Sequence, residues 1–231
     1  MITTSSFSIE KVRKRSTEAK AADTLREAIV QGAIPLGARV TEIMMSEQLG
    51  VSRGTIRTAF NQLVQEGLLV QIPYSGWTVM TLSSRDAWEI YTLRASLEAL
   101  ASRLAAERIR GDADGDASKT LMEAFGRLRE ACMGGTQSVV ADADVDLHRT
   151  IVSLAGHNRL NDQYKRIEHQ VRVYIRSSDG LIQDPHEIVS QHQPIVDALL
   201  TGNPVAAANA AVAHNEREGT RLVEHLRCQE M

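Results

Sequence analysis

The chain has 231 residues, 43% of them hydrophobic and 24% charged, with a formal net charge of −3. That length and composition suit two ordinary globular domains and exclude a disordered or strongly basic chain. No apolar run approaches the ~20 residues of a membrane span, and no signal-type apolar core opens the chain. Two cysteines, Cys132 and Cys228, are too few for a disulfide framework, so a cytoplasmic protein with reduced thiols is expected.

Residues 1–16 are polar and carry a basic cluster, Lys11, Arg13, Lys14 and Arg15. They read as an N-terminal arm, either a solvated tail or a segment that touches nucleic acid. A first helix is expected over about 17–31, with Leu25, Ala28 and Ile29 on its apolar face and Gly32 closing it. Residues 34–37, Ile-Pro-Leu-Gly, form a turn. Residues 41–49 read as a short second helix, closed by Gly50 and Val51. Beyond it, Ile56, Ala59, Phe60, Leu63 and Val64 recur at helical spacing, with Ser52 as N-cap and Gly67 as C-terminal stop. The other face of that third helix opens with Arg53, Thr55, Arg57 and Thr58, all hydrogen-bond donors. Residues 68–72 and 77–80 are strand-like runs around a Pro73-Tyr74-Ser75-Gly76 turn, a two-stranded wing.

A short helix, a Gly-containing turn, a helix opening on Ser-Arg and a wing make the layout of a winged helix-turn-helix. In that layout the N-terminal end of the second helix of the pair enters the major groove. Ser52, Arg53, Thr55 and Arg57 are therefore the expected DNA contacts, with Gly76 bringing the wing to the backbone. Charge agrees weakly: residues 1–80 carry nine Lys/Arg against seven Asp/Glu, the remainder seventeen against twenty-two.

After a linker around Ser83 and Ser84 only helical periodicity is found. Helices are expected over about 85–110, 117–133, 138–155, 158–178, 186–201 and 204–227, broken at Gly-containing turns. The fold class is thus mainly α: an arm (1–16), a winged helix-turn-helix with a small β wing (17–81), and an all-α bundle (82–231).

The N-terminal third resembles the GntR family of bacterial regulators. The run Leu49-Gly50-Val51-Ser52-Arg53-Gly54-Thr55-Ile56-Arg57 matches its Leu-Gly-Val-Ser-Arg-x-x-(Val/Ile)-Arg signature. Thr58 and Gly54 stand where the family often has an acidic residue and a proline. The remainder resembles the FCD effector domain of the FadR subfamily. That likeness rests on Tyr91-x-x-Arg94-x-x-Leu97-Glu98, Asp144-x3-His148, Gly156-His157-Asn158, His192-x-x-Ile195 and the late His214. It implies a regulator, expected to be a repressor, that binds palindromic operator DNA as a homodimer and responds to a small organic or sugar acid. It further implies that Asp144, His148, His192 and His214 hold one divalent metal, and that Arg94 pairs with an acidic effector.

Spacing supports the metal set. Asp144 and His148 are i, i+4 on one helical face. His192 and His214 lie about ten residues either side of the Gly202-Asn203-Pro204 break, so at ~1.5 Å per residue a helical hairpin sets them at one level. Three imidazoles and a carboxylate suit Zn²⁺ first, and also Ni²⁺, Fe²⁺ or Mn²⁺. His157, His169, His186 and His225 have no partner at ligand spacing. Arg94 falls on the apolar stripe of its helix and needs a partner, either the effector or an acid such as Glu98 or Asp146. Arg172, Tyr174 and Arg176 are weaker effector candidates. Residues 112–123 have calcium-loop acids, but Ala117 occupies the obligatory glycine position, so the stretch reads as an acidic helix entry. Two rival classes stay open: a pure metal sensor, and a metalloenzyme, for which no nucleophile elbow, phosphate loop or HExxH is found.

Overall fold

A computed structural model describes residues 16–72, 76–112 and 114–231. The basic cluster of the expected arm, and the tip of the wing, lie outside the described residues. The DNA-reading third comprises α1 (Thr17–Val30), β1 (Arg39–Val40), α2 (Glu42–Leu49), α3 (Arg53–Gln65), β2 (Leu69–Ile72) and β3 (Gly76–Val79). Its helices begin where short polar side chains satisfy free N–H groups. Ser16, Thr41 and Ser52 accept from Ala19, Met44 and Thr55 respectively. Gly50 closes α2 in the left-handed conformation (φ 64°), which turns the chain into α3. Ile56, Ala59, Phe60 and Leu63 are buried, as their periodicity requires.

The expected two-stranded wing is present as the β2–β3 hairpin, and β1 extends it to a three-stranded antiparallel sheet in the order β1-β3-β2. Arg39 and Val40 pair with Thr78 and Trp77 on the otherwise open edge of β3. Two residues are too few to display alternation, so only the pairing and the burial of Val40 reveal the strand. Arg26 is also unheralded. It sits buried on the core face of α1, forked onto Glu66 through Nε–Oε2 and Nη2–Oε1 contacts of 2.7 Å each, with Asp23 at 2.6 Å.

The rest is α4 (Ser84–Gly111), α5 (Asp116–Gly134), α6 (Gln137–Leu154), α7 (Asn158–Asp179), α8 (Pro185–Leu200) and α9 (Pro204–Glu230). The six expected segments match these within a few residues. Asp112 Oδ2 accepts from Ala117 N at 2.6 Å, so the acidic stretch is the entry to α5. Gly202 (φ 61°) and the Asn203 cap make the tight α8–α9 hairpin. No helix among the described residues is long and apolar enough to cross a membrane.

The two parts share a core. One apolar cluster runs from Leu25, Phe60 and Trp77 to Tyr91, Val145, Tyr174 and Leu222. A polar seam lies beside it. Arg172 of α7 reaches Glu27 of α1 (3.1 Å) and Asp142 of α6 (2.9 Å), while Arg176 donates to Gln31 and Ser138. Gln170 donates to the Glu66 carbonyl at 2.9 Å by lying against Gly67, where a Cβ would fall 1.9 Å from its amide nitrogen. Gly67 also has φ 71°. Gly67→Ala is therefore expected to cost about 1–2 kcal/mol from the left-handed conformation alone, and to displace Gln170. Urea unfolding measures the first, and loss of amide-exchange protection along α7 the second.

Candidate functional site

On the DNA-reading side, Ser52, Arg53 and Arg57 are exposed at the start of α3, and Gly76 (φ 97°) opens β3. Thr55 departs from expectation. It is buried, and its hydroxyl lies 3.0 Å from that of Ser52, so it belongs to the helix cap rather than the outer face. Arg57 is not a loose side chain: Glu42 of α2 takes its Nε and Nη2 at 2.8 and 2.9 Å. That leaves the Nη1 edge of the guanidinium facing outward with donors to spare.

The second site lies inside the bundle. Asp144 and His148 project from α6, His192 from α8 and His214 from α9, and all four are buried. The fold brings them together. His192 Nε2 lies 3.2 Å from His148 Nε2, and the His192 and His214 rings are 4.3 Å apart between centroids. Asp144 places Oδ1 3.2 Å from His148 Nε2 and Oδ2 3.4 Å from His192 Nε2. One nitrogen from each of the three histidines falls within 4.8 Å of the others, a spacing that a single ion could span.

Tautomers follow from the outer neighbours. The Ile188 carbonyl, 2.8 Å from His192 Nδ1, can only accept, so that nitrogen carries the hydrogen and Nε2 presents a lone pair. Glu98 Oε2, 3.0 Å from His148 Nδ1, has the same effect on His148. Nε2 of His148, Nε2 of His192 and a carboxylate therefore face one another, an arrangement made favourable either by a proton on His148 shared with Asp144 or by a metal ion between them. The electrostatics describe the ion-free state. Burial alone would lower the His148 pKa, but Glu98 and Asp144 outweigh it and lift it to about 9. Burial would raise that of Asp144, yet the adjacent His192 and His148 hold it well below the usual carboxylate range. Burial, reinforced by His192 and His148, keeps His214 well below the ordinary imidazole value. The donor set fits a divalent ion.

Glu98 is the residue around which this is arranged; the sequence offers it only as one of two possible partners for Arg94, not as the centre of a network. Its carboxylate receives Arg94 Nε (3.0 Å), Tyr164 Oη (2.8 Å) and Asn215 Nδ2 (2.8 Å) besides facing His148. Its i+4 offset from Arg94 was the available signal. Arg94 thus has the acidic partner its burial requires, Glu98 rather than Asp146, which instead takes Arg127 at the surface. Arg94 Nη2 nevertheless has no hydrogen-bond partner, and the side chain lines a cavity beside the histidines with Asp179, Gln191 and Glu218. Asp179 and Glu218 are likewise unforeseen. Arg172 and Arg176 are excluded from the cavity, since both are committed to the seam with α1. Of the other histidines, His157 caps α7 by accepting from Leu160 N at 3.1 Å, and His225 lies 2.9 Å from Gln229.

Comparison with known proteins follows the same division. Residues 17–79 match the model of the bacterial regulatory proteins of the gntR family, and residues 89–217 match the FCD domain. The chain is 34% identical to a probable D-xylose utilization operon transcriptional repressor of Paenarthrobacter nicotinovorans, over 87% of this chain and 88% of that one. The chain belongs to the GntR family. It is a DNA-binding transcription regulator with a C-terminal FCD domain, and the family consists of regulators rather than enzymes. Two solved structures share its fold. A putative GntR regulator from Rhodococcus sp. RHA1 has a TM-score of 0.75 at 23% identity, covering 90% of this chain and 97% of that one. McbR/YncC of E. coli has a TM-score of 0.75 at 20% identity, covering 92% and 99%.

Removing Arg94 leaves Glu98 buried without its cation. Arg94→Met is expected to cost on the order of 3 kcal/mol in chemical denaturation, as for one partner of a buried ion pair. Adding Glu98→Gln should recover part of that loss, because the uncompensated charge goes with it.

Proposed function

We propose that this GntR regulator binds a palindromic operator as a homodimer, and that a divalent metal held by Asp144, His148, His192 and His214 anchors a small carboxylate effector. The observation that carries the metal reading is the convergence of buried lone pairs from three helices, with tautomers set by Glu98 and Ile188. The metal, Zn²⁺ or else Ni²⁺, Fe²⁺ or Mn²⁺, would supply a Lewis-acid contact for an anionic oxygen. Arg94, with an unpaired Nη2 toward the cavity, would clamp that anion from the protein side.

The cavity beside the histidines is only about 10 Å³, room for one water-sized sphere. An organic acid enters only if the helices lining it, α4, α6, α7, α8 and α9, move apart. Such a ligand binds the two arrangements unequally, which is the condition for it to shift an equilibrium between them. α7 carries the seam that holds α1, so displacement there reaches the DNA-reading third. The name of the Paenarthrobacter relative supports a repressor. Loss of operator affinity on effector binding is the expected response.

On DNA, we assign Arg53 and Arg57 to base or phosphate contact, with Ser52 and the Gly76 wing on the backbone. Thr55 contributes by fixing the cap. Glu42 holds Arg57 by one edge and so presents the other. Arg57→Ala should weaken operator binding by about 1–3 kcal/mol if the contact is to a base. Unchanged footprints in both Arg53→Ala and Arg57→Ala would overturn the assignment.

The metal reading has its own measurement. His192→Ala with His214→Ala should reduce the metal found by elemental analysis from one ion per chain to near none. The melting temperature should fall with it, because an ion at a hundredfold its Kd stabilises by about 2.7 kcal/mol. Full occupancy in that double variant would sink the assignment. For the effector, calorimetry with small carboxylates should show binding that weakens in Arg94→Ala and in metal-free protein. A neutral, non-chelating ligand binding all three forms equally would show that the pocket works on another principle.

A further inference from the structure

Arg57 projects from the second turn of α3 with its side chain 64% exposed, yet it is not left to move freely. Glu42 takes Nε at 2.8 Å and Nη2 at 2.9 Å, the side-on fork of the guanidinium. Glu42 is itself held. It is the first residue of α2, next to the Thr41 cap, where the helix dipole favours an acid, and its side chain is only 15% exposed. The bond to Arg57 does most to lower its pKa against the opposing effect of burial, and the Arg53 charge and the Trp77 indole lower it further. The acid therefore stays ionised.

Such a clamp is out of place on an arginine meant for the DNA backbone. A carboxylate beside Arg57 offsets much of its attraction for phosphate, and phosphate contacts carry no sequence information. What the clamp supplies is direction. With Nε and one Nη2 hydrogen engaged, a second fork remains whole, formed by Nη1 and the other Nη2 hydrogen. Two parallel N–H donors are the complement of guanine O6 and N7 in the major groove. Adenine presents a donor where guanine presents O6, so a fork fixed in direction meets it badly.

We propose that Glu42 is a positioning residue for sequence readout, aiming the end-on fork of Arg57 at one guanine in each operator half-site. The proposal rests on the assignment of Arg57 to DNA. To that it adds the base read, the atoms that read it and the residue that aims them. Glu42 acts through Arg57 without touching a base. An anion at the reading face also opposes the phosphates around it, and that opposition falls on all sequences alike. Glu42 thus raises selectivity while lowering general affinity.

The test uses the full-length protein and a pool of random-sequence duplexes, from which wild type selects its preferred half-site. Each position of that site is then varied in turn, and a scrambled duplex measures non-specific binding. Wild type is expected to prefer guanine over adenine at one position per half-site by roughly tenfold or more. In Glu42→Gln, whose amide oxygen cannot receive both N–H groups, that preference should fall to within about threefold. Preferences at the other positions should persist, and affinity for the scrambled duplex should stay equal or rise. Arg57→Lys keeps the charge and loses the fork, so it should relax the same position. A merely structural Glu42 would show itself differently: Glu42→Gln would weaken binding to every duplex, the scrambled one included, and the proposal would be overturned. If Arg57→Lys relaxes one position and Glu42→Gln relaxes none, the DNA contact stands and the role of Glu42 falls. If Arg57→Lys leaves every base preference unchanged, base reading by Arg57 falls and this proposal with it. A relaxed position that wild type fills with an A·T pair would overturn the base assigned.

Discussion

Glu98 is a carboxylate on the most central helix of the bundle, and burying such a group unpaired would cost more than most single interactions return. It is tolerated because four helices contribute to its surroundings: Arg94 from α4 itself, His148 from α6, Tyr164 from α7 and Asn215 from α9. Burial would raise its pKa, but Arg94 and His148 hold it well below the usual range, so it stays ionised. An ionised Glu98 orients His148, fixes one edge of Arg94 and leaves the other edge toward the cavity. The geometry of the proposed ligand set and of the proposed anion clamp are consequences of one satisfied charge.

That dependence also explains what could be read in advance. The helices were legible because capping residues and apolar periodicity are local signals, and Ser52, Gly50 and Gly67 stand where the chain turns. Asp144 with His148, and His192 with His214, were legible from helical geometry and from likeness to a known domain. Asp179 and Glu218 were not, and Glu98 only as one candidate partner of Arg94. A buried acid looks like a solvated one in sequence, and only tertiary packing decides which it becomes. Arg26 escaped for the same reason, since its partner Glu66 is forty positions away. Thr55 differs in the opposite sense: its polar side chain at the start of α3 suggested the DNA face, while the cap turns it inward.

Asp179 shows how tightly the environment is drawn. Burial, Asp144 and Glu218 together push its pKa well above the ordinary carboxylate value, while Asp144 in the same cavity is held well below it, His192 and His148 outweighing its burial. Two carboxylates lining one cavity thus live in different states, because imidazoles outweigh the burial of Asp144 while burial and neighbouring acids outweigh Arg94 and Arg221 at Asp179. Evolving such a pocket toward another ligand would mean changing partners as well as the acids themselves.

The seam between α1 and α7 has a further implication for how operator affinity responds to ionic strength. Arg172, Glu27 and Asp142 meet at a half-solvated surface, where mobile ions weaken attraction over a Debye length of about 8–10 Å. The DNA contacts proposed for Arg53 and Arg57 would weaken with salt for a different reason, the release of condensed counterions. A slope of log affinity against log salt measured on the whole chain therefore contains two contributions. One counts charges at the operator, and the other registers how firmly the reading head is held to the bundle. Neutralising Arg172 would separate them without touching the DNA face.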